Sequence, residues 1–488
     1  MRESHDPDGL RLPIKLDTTT NGEFAPVPLA PMHRQAHARA FALATEHARR
    51  LGMTRRRFLV SASGAAATLL SFNAAFAAGG RTGGYYDLPA ESALDVALAR
   101  SKLDTGEFVF DVQGHFVNPT GAWTKALPPG AQPLRFFAQN KACPAVAQPG
   151  LDYLACLGSD AFVKDVFLDS DTDLVVLSFV PSTRAGEPLT IEEAAATARI
   201  VERLAGTHRM LLHGRVNPNQ AGDVDAMDVL AERYRVAAFK TYTQWGPDGT
   251  GFFLDDDIGL AFIERARRLG VRNIAVHKGL PFGERSYQHS TCVDIGRVAR
   301  RFPDMNFLVY HSGFVTGRPE GPYDPARTDG IDALVTSVLA NDVKPGGNVY
   351  AELGSTWRFL MRDPDAAAHV LGKLFKYVGE DNVLWGTDSI WYGSPQDQIQ
   401  AFRTFRIADA LVERYGYPQL TPALRAKVFG RNALRVYAVP DAVLKRHLPR
   451  DRVARERDEY RERPDPAFVT YGPKTRREFL AFKARAGN

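Results

Sequence analysis

The sequence predicts an α/β fold: a closed (β/α)8 (TIM) barrel with a cap insertion after its first strand and a charged C-terminal tail. Short apolar runs recur eight times after Phe108, and amphipathic segments separate them. Most of the runs are apolar without interruption, as parallel strands covered on both faces require. Eight rounds of strand and helix fill a closed barrel. The alternative is an open doubly wound sheet, but no Gly-x-Gly-x-x-Gly follows a strand to support a dinucleotide-binding version.

The predicted elements alternate regularly along the chain. The strands are predicted at residues 108–112, 173–180, 209–216, 235–242, 273–277, 306–311, 348–353 and 382–388. Amphipathic segments with the 3.6-residue period of helices lie at residues 191–206, 255–269, 291–302 and 364–379. Residues 118–172 are too long for an ordinary loop, so they are predicted to form a cap over the active face.

Composition narrows the function classes. The chain has 488 residues, 44% of them hydrophobic, which is enough for a large core. The formal charge is +5, but residues 1–77 contain ten Lys or Arg and six Asp or Glu, so the remainder is nearly neutral. A nearly neutral remainder gives no reason to expect nucleic acid as a partner. Three cysteines do not make a disulfide scaffold; Cys143 and Cys156 either pair or, like Cys292, are small buried hydrophobic residues.

Residues 53–77 have the pattern of a twin-arginine signal peptide. Thr54-Arg55-Arg56-Arg57-Phe58-Leu59 precedes an uncharged run that ends in Ala75-Phe76-Ala77, a small-residue cleavage site. The pattern predicts export to the periplasm by the twin-arginine machinery, with cleavage near Ala77. A membrane anchor is the alternative if the segment stays uncut.

The other segments follow from this boundary. Residues 1–52 are predicted to be a non-native or disordered extension, with translation starting at Met53 as one hypothesis. Residues 78–107 lead into the barrel, which is predicted to span residues 108–438. Residues 439–488 are dense in Arg, Asp and Glu, and are predicted to wrap the barrel as a solvated tail with weak helix at best.

Polar residues stand where the predicted strands end, which is where barrel enzymes place their chemistry. The first strand runs into Asp111-Val112-Gln113-Gly114-His115-Phe116, in which Gln113 and His115 point to the same side. Later strands end in Lys240, His277, His311 and Asp388, which follow the fourth, fifth, sixth and eighth strands. One histidine after an apolar run is usually a core or loop residue, but three at the same register are hard to obtain by chance. Imidazole and carboxylate groups suit zinc, manganese or iron(II).

This ordered set resembles the amidohydrolase superfamily, and within it the amidohydrolase-2 branch that includes aminocarboxymuconate-semialdehyde decarboxylase. The Phe after the first motif, His311-Ser312-Gly313, Trp385-Gly386-Thr387-Asp388 and residues 427–433 are similar to motifs of that branch. The resemblance spans roughly residues 108–438. It implies that His115, His277 and Asp388 hold one divalent ion, zinc first, with manganese or iron as alternatives. Gln113 is the departure, because its neutral amide oxygen coordinates only weakly and makes a weaker site, a harder metal or no metal the expectation.

The resemblance also implies roles for the remaining site residues. Asp388 would bind metal and take a proton from its water, and His311 would shuttle a proton or stabilise charge near pH 7. Lys240 is expected to bind a substrate anion as an ammonium, with a carbamylated bridging lysine as the alternative. Arg184 either binds a substrate carboxylate or lies on the surface. Trp245 either lines the pocket or packs.

The sequence therefore predicts an exported, metal-dependent hydrolase that acts on an ester, lactone or amide bond of a small molecule through metal-activated water. The rival among enzymes is a lyase, a non-oxidative decarboxylase of a small aromatic or enoic carboxylic acid. The rival from another class is a non-catalytic periplasmic binding protein on a decayed barrel, for which Gln113 is the only support. The substrate and the oligomeric state, including a homo-oligomer, stay open.

Overall fold

The computed structural model describes residues 12–120, 123, 153–281, 284–440, 443, 448–466, 468, 470 and 472–485. Much of the predicted cap, including Phe136, Phe137 and Cys143, therefore lies outside the described residues. The part of the cap that is described runs from Tyr153 to the second barrel strand and packs Phe162 against Phe116, with ring centroids 5.4 Å apart.

Eight parallel strands form a nearly closed barrel and confirm the predicted fold. Strands β2 to β9 pair in chain order, and a short antiparallel pair of β1 with β10 lies outside this sheet. Each of the eight predicted strands is present, although the last is only two residues long. The strands are β1 (Gly84–Tyr86), β2 (Val109–Gly114), β3 (Thr172–Leu177), β4 (Met210–Arg215), β5 (Ala238–Tyr242), β6 (Asn273–His277), β7 (Asn306–Tyr310), β8 (Val349–Glu352), β9 (Val383–Leu384) and β10 (Phe405–Ile407).

Helices cover the outside of the barrel, and the four predicted helical segments are confirmed. The first of these, α6, begins at a capping box in which Thr190 and Glu193 bond to each other's backbone N–H, and ends at the left-handed Gly206. The helices of the described residues are α1 (Pro31–Arg50), α2 (Arg55–Leu59), α3 (Ala62–Ala78), α4 (Val96–Leu103), α5 (Ser159–Phe162), α6 (Ile191–Ala205), α7 (Met227–Glu232), α8 (Asp257–Arg268), α9 (Glu284–Ser290), α10 (Ile295–Arg301), α11 (Gly330–Ala340), α12 (Thr356–Leu360), α13 (Pro364–Lys373), α14 (Gln396–Thr404), α15 (Asp409–Tyr415), α16 (Pro422–Ala426), α17 (Asn432–Val436), α18 (Arg452–Glu462) and α19 (Arg476–Arg485).

Residues 12–52, predicted to belong to a non-native or disordered extension, include helix α1 in this structure. Helix α1 packs lengthwise on α3, and α3 is buried along most of its length. Leu69, Phe72 and Phe76 of α3 are buried in the core that surrounds the barrel. The apolar run that has the pattern of a signal peptide therefore serves here as a core helix, and export with cleavage near Ala77 stays a prediction.

The C-terminal tail contains more regular helix than its composition predicts. Helix α18 starts at Asp451, whose carboxylate accepts a hydrogen bond from Ala454 N at 2.8 Å. The same carboxylate pairs with the buried guanidinium of Arg209 at 2.6 Å. This buried pair anchors the start of α18 beside the N-terminal end of β4, which local sequence composition does not reveal.

The two described cysteines are in different states. Cys156 is disulfide-bonded, whereas Cys292 is free and buried. Within the described ranges, no helix is both long enough and apolar enough to cross a membrane.

Replacing Phe72 by Ala tests whether α3 belongs to the folded core. We expect the free energy of unfolding of the full chain to fall by about 3–5 kcal/mol, since a buried aromatic side chain leaves a cavity. The measurement is urea unfolding followed by circular dichroism. The control is Leu204→Ala on α6, where the side chain is 53% exposed and the expected change is within about 0.5 kcal/mol. Equal effects of the two substitutions would contradict a core role for α3.

Candidate metal centre

Gln113 lies at the end of β2, the first strand of the barrel, and His115 follows directly after this strand. Both residues are at the mouth of the barrel, where the C-terminal ends of β2 to β9 lie. Val112 faces the barrel interior, so strict alternation would turn Gln113 outward. The pairing of β2 with β3 is irregular between Asp111 and Gly114, and such irregularities re-aim side chains next to active sites. Gln113 and His115 are both buried, and both contact Asp388.

His311 follows β7 and Asp388 follows β9, and the side chains of both residues approach Gln113. Both residues have a left-handed backbone conformation. The φ of Asp388 is 61° and that of His311 is 64°, values that residues with a Cβ adopt only at a cost of about 1–3 kcal/mol. Glu352, at the end of β8, holds this geometry by accepting hydrogen bonds from His311 N at 3.0 Å and Gly354 N at 2.6 Å. Gly386 has no room for a side chain, because a Cβ there would lie 1.6 Å from Glu352 Oε1.

The side chains of Gln113, His115, His311 and Asp388 converge on one point. Gln113 Nε2 lies 3.0 Å from Asp388 Oδ1 and 3.4 Å from the Nε2 atoms of both His115 and His311. His115 Nε2 lies 3.1 Å from Asp388 Oδ1. The two ends of an amide have nearly the same shape, so a rotation of the Gln113 amide places its oxygen among the same groups.

His277 and His311 are held as neutral imidazoles. His311 Nδ1 donates a hydrogen bond to Gly354 O at 2.6 Å, which leaves the lone pair of Nε2 facing the other site residues. Burial, above all, lowers the pKa of His311 to about 4. Burial and the neighbouring His311 and Lys240 lower the pKa of His277 well below its usual value. Neutral imidazole is the form that binds a metal ion.

His277 packs beside His311. The rings of His277 and His311 are 4.4 Å apart, and a carboxylate oxygen of Glu23 lies 4.0 Å from His277 Nδ1. The potential ligand atoms of Glu23, His277 and His311 all lie within 4.8 Å of one another. The sequence interpretation missed Glu23, because residues 1–52 were placed outside the fold and no local pattern marks this glutamate.

The donor chemistry of the site fits a divalent ion. Two overlapping groups share His311, one with Gln113, His115 and Asp388 and one with Glu23 and His277, and their imidazole, carboxylate and amide atoms suit zinc, manganese or iron. Gln113 Oε1 is buried and has no hydrogen-bond partner among the described residues. A buried acceptor without a partner is destabilising unless an ion or a rotated amide satisfies it.

Asp388 is supported on its second oxygen. Ser355 Oγ donates to Asp388 Oδ2 at 2.5 Å and is itself within 2.8 Å of Tyr392 OH. Burial alone would raise the pKa of Asp388, but the hydrogen bonds of His115 and Ser355 to its carboxylate bring it below its usual value. Asp388 is therefore a carboxylate at neutral pH, able to bind a cation or accept a proton.

The three predicted substrate-binding residues lie in different surroundings. Lys240 is buried inside the barrel with its ammonium 3.6 Å from the centre of the Tyr310 ring, and burial lowers its pKa to about 7. Arg184 is 53% exposed and is bound to Asp223 and Gly222. Trp245 is half-buried in the loop after β5, where its carbonyl accepts a bond from Asn219. Of the three, Lys240 alone has its charge acting on the histidines of the site.

Comparison with known proteins places these observations in a family. A family model described as amidohydrolase matches residues 110–439, more than half of the chain. No curated protein matches the chain. Similar solved structures are an uncharacterized TIM-barrel protein from Bordetella bronchiseptica (13% identical, covering 68% of this chain and 98% of that chain, TM-score 0.41), 5-carboxyvanillate decarboxylase from Sphingomonas paucimobilis (14%, 69% and 100%, 0.41) and 2,6-dihydroxybenzoate decarboxylase from Rhizobium (14%, 68% and 99%, 0.36).

Replacing Ser355 by Ala tests the support of Asp388. We expect the affinity for a divalent ion to fall about 10–100-fold, as is usual when a group that orients a ligand is removed. Competition with a chromophoric chelator measures the affinity. Ser337→Ala is the matched control, since this buried hydroxyl bonds to Gly296 N far from the site. An unchanged affinity in Ser355→Ala would show that Asp388 is not a ligand or needs no support.

Proposed function

Because the chain belongs to the amidohydrolase family, we propose that it is an enzyme that hydrolyses an ester, lactone or amide bond of a small molecule with one divalent ion. The observation that carries the proposal is the convergence of Gln113, His115, His311 and Asp388 on one buried point, with a neutral imidazole at His311 and an ionised carboxylate at Asp388. A binding protein on a decayed barrel has no need to keep such a set.

The roles of the residues follow from their positions. His115, His277 and Asp388 would hold the ion, together with the Gln113 amide if its oxygen faces the site. A divalent ion in such a site supplies Lewis acidity and lowers the pKa of water. Asp388 accepts a proton on the oxygen that Ser355 does not already occupy. His311 is held in one tautomer by Gly354, so its Nε2 is the atom that faces a reacting group.

A second candidate reaction is non-oxidative decarboxylation of a small carboxylic acid. Lys240 supports it, because its buried ammonium forms no hydrogen bond with any described residue. A buried cation without an ion-pair partner is destabilising, and a substrate carboxylate would supply the partner. In that reaction Lys240 would bind the acid, the bond from carbon to its carboxylate would break with release of CO2, and the carbon would take up a proton that Asp388 relays from solvent.

Replacing His277 by Ala tests the proposed metal dependence. We expect loss of bound metal and a fall in kcat/KM of more than about 100-fold, since even residues that only orient ligands are worth 10–100-fold. Elemental analysis and assays on ester, lactone and carboxylic acid panels are the measurements. The control is His208→Ala, whose side chain is 72% exposed. Full metal content in His277→Ala would remove His277 from the ligand set.

Replacing Lys240 by Met separates the two reactions. If the substrate is an acid, we expect KM to rise about 30-fold or more, because truncating one partner of a buried charge pair costs about 2–5 kcal/mol. If the substrate is a neutral ester, we expect KM to change less than about threefold. Steady-state kinetics decides, with Lys376→Met as the control, because Lys376 bonds to Tyr415 O on the surface. A large effect on neutral esters would refute an anion-binding role for Lys240.

A further inference from the structure

The residues before α1 cross the mouth of the barrel. We call residues 12–30 the N-terminal strap. Its apolar residues Leu12, Ile14, Leu16 and Phe24 are buried. The ring of Phe24 packs edge-on against Phe359 with centroids 4.7 Å apart. Burial of these four apolar side chains stabilises the strap by roughly 1.5–3 kcal/mol of free energy each, which is enough to hold it against the barrel.

One side of the strap forms ion pairs and hydrogen bonds with residues of the active face. Arg358, in the helix that follows β8, pairs with Asp17 at 2.6 Å. Arg362 donates to Val27 O at 2.9 Å. Lys15 donates to Ser394 O at 2.8 Å, in the loop that follows β9. The strap is thus bound by the segments that follow the last two barrel strands.

The C-terminal tail binds the other side of the strap. Thr18 Oγ1 donates to Lys474 O at 2.6 Å, and Thr20 N donates to Pro473 O at 3.0 Å. Thr19 and Thr470 share a buried hydroxyl–hydroxyl bond of 2.7 Å. The tail therefore has a structural function, since it presses the strap against the barrel.

A tight turn at residues 20–24 forms the tip of the strap. Gly22 has a φ of 97°, which a residue with a side chain rarely adopts. Thr20 Oγ1 donates to Phe24 O at 2.6 Å, and Glu23 N donates to the side-chain oxygen of Asn21 at 3.0 Å. These bonds fix the direction in which Asn21 and Glu23 project.

Asn21 and Glu23 project into the metal centre. Asn21 Nδ2 donates to Glu23 Oε2 at 2.7 Å and lies 3.4 Å from Asp388 Oδ2, so one amide links both carboxylates. Glu23 Oε1 is 4.0 Å from His277 Nδ1, and Glu23 is 16% exposed. A carboxylate is rarely buried to this extent unless it pairs with a cation or binds a metal.

We propose that the N-terminal strap is retained in the working enzyme and that Glu23 is a carboxylate ligand of its metal ion. The inference rests on the proposed metal-dependent function. The Gln113 amide is neutral and therefore a weak ligand, and the negative charge of Glu23 compensates for this weakness. Cleavage near Ala77 would remove Glu23 together with α1 and α3, so a chain cut there lacks both the ligand and part of the core.

The first test compares full-length chains in which Glu23 or Glu46 is replaced by Gln. Glu46 is the matched control, because it lies on α1 with its side chain 60% exposed. Each protein is loaded with Co²⁺, and stoichiometry, visible absorption spectrum and chelator-competition affinity are measured beside the melting temperature. We expect one ion in the parent chain, and in Glu23→Gln an affinity at least about tenfold lower with an altered spectrum and a retained fold. An unaltered affinity and spectrum in Glu23→Gln would overturn the inference alone, whereas a parent chain that binds no ion would overturn the proposed function.

The second test examines the chain that the cell uses. Intact mass and peptide mapping of the active protein from its own host should find residues 12–52 in the active fraction. A mature chain that begins after Ala77 and has full metal content would overturn retention. A chain that starts at Met53 lacks the strap but keeps α3, and it should bind Co²⁺ with the weakened affinity of Glu23→Gln. If this shortened chain does not fold, the mass of the native enzyme and the Glu23→Gln spectrum decide.

Discussion

The closure of the barrel between its first and last strands is the constraint on which the rest of the site depends. Asp388 N donates to Gln113 O at 3.0 Å, and His115 N donates to Ser389 O at 2.6 Å. Ile390 N returns the bond to His115 O at 3.0 Å. These backbone bonds hold Asp388 within contact distance of Gln113 and His115, although Gln113 and Asp388 are 275 positions apart in the chain. Without closure, Gln113, His115 and Asp388 would not meet at one point.

Buried carboxylates that touch no substrate hold this closed edge. Asp111 accepts bonds from Gln113 N at 3.0 Å and Thr387 N at 3.1 Å, and burial raises its pKa to about 7. Burial also raises the pKa of Glu352, to about 8, while it holds the backbone of His311. Both groups bridge neighbouring strands through backbone N–H groups. The left-handed backbone at His311 and Asp388 is therefore stabilised by hydrogen bonds with neighbouring buried carboxylates, as strained positions at functional sites usually are.

The site is built from two ends of the chain as well as from the barrel. Strap residues 12–30 lie between the mouth and the tail, and the tail residues that touch them include Thr470 and Pro473. The cavity that borders His115 and Trp391 has a volume of about 10 Å³, close to the space of a single water. The charge near His277 includes that of Glu23, a group that the barrel alone does not supply.

The sequence by itself determined the eight strands and the register of the polar residues at their ends. Strand periodicity is local, and a histidine that follows an apolar run must stand at the mouth of a parallel barrel. Only the tertiary structure shows that the apolar run at α3 packs in the core, because an uncharged Ala- and Leu-rich segment suits a signal peptide and a buried helix equally well. It also decided Glu23, Asn21 and Ser355, whose partners lie far away in the chain. Such contacts leave no periodic trace, since only folding brings a strap, a strand end and a helix start to one point.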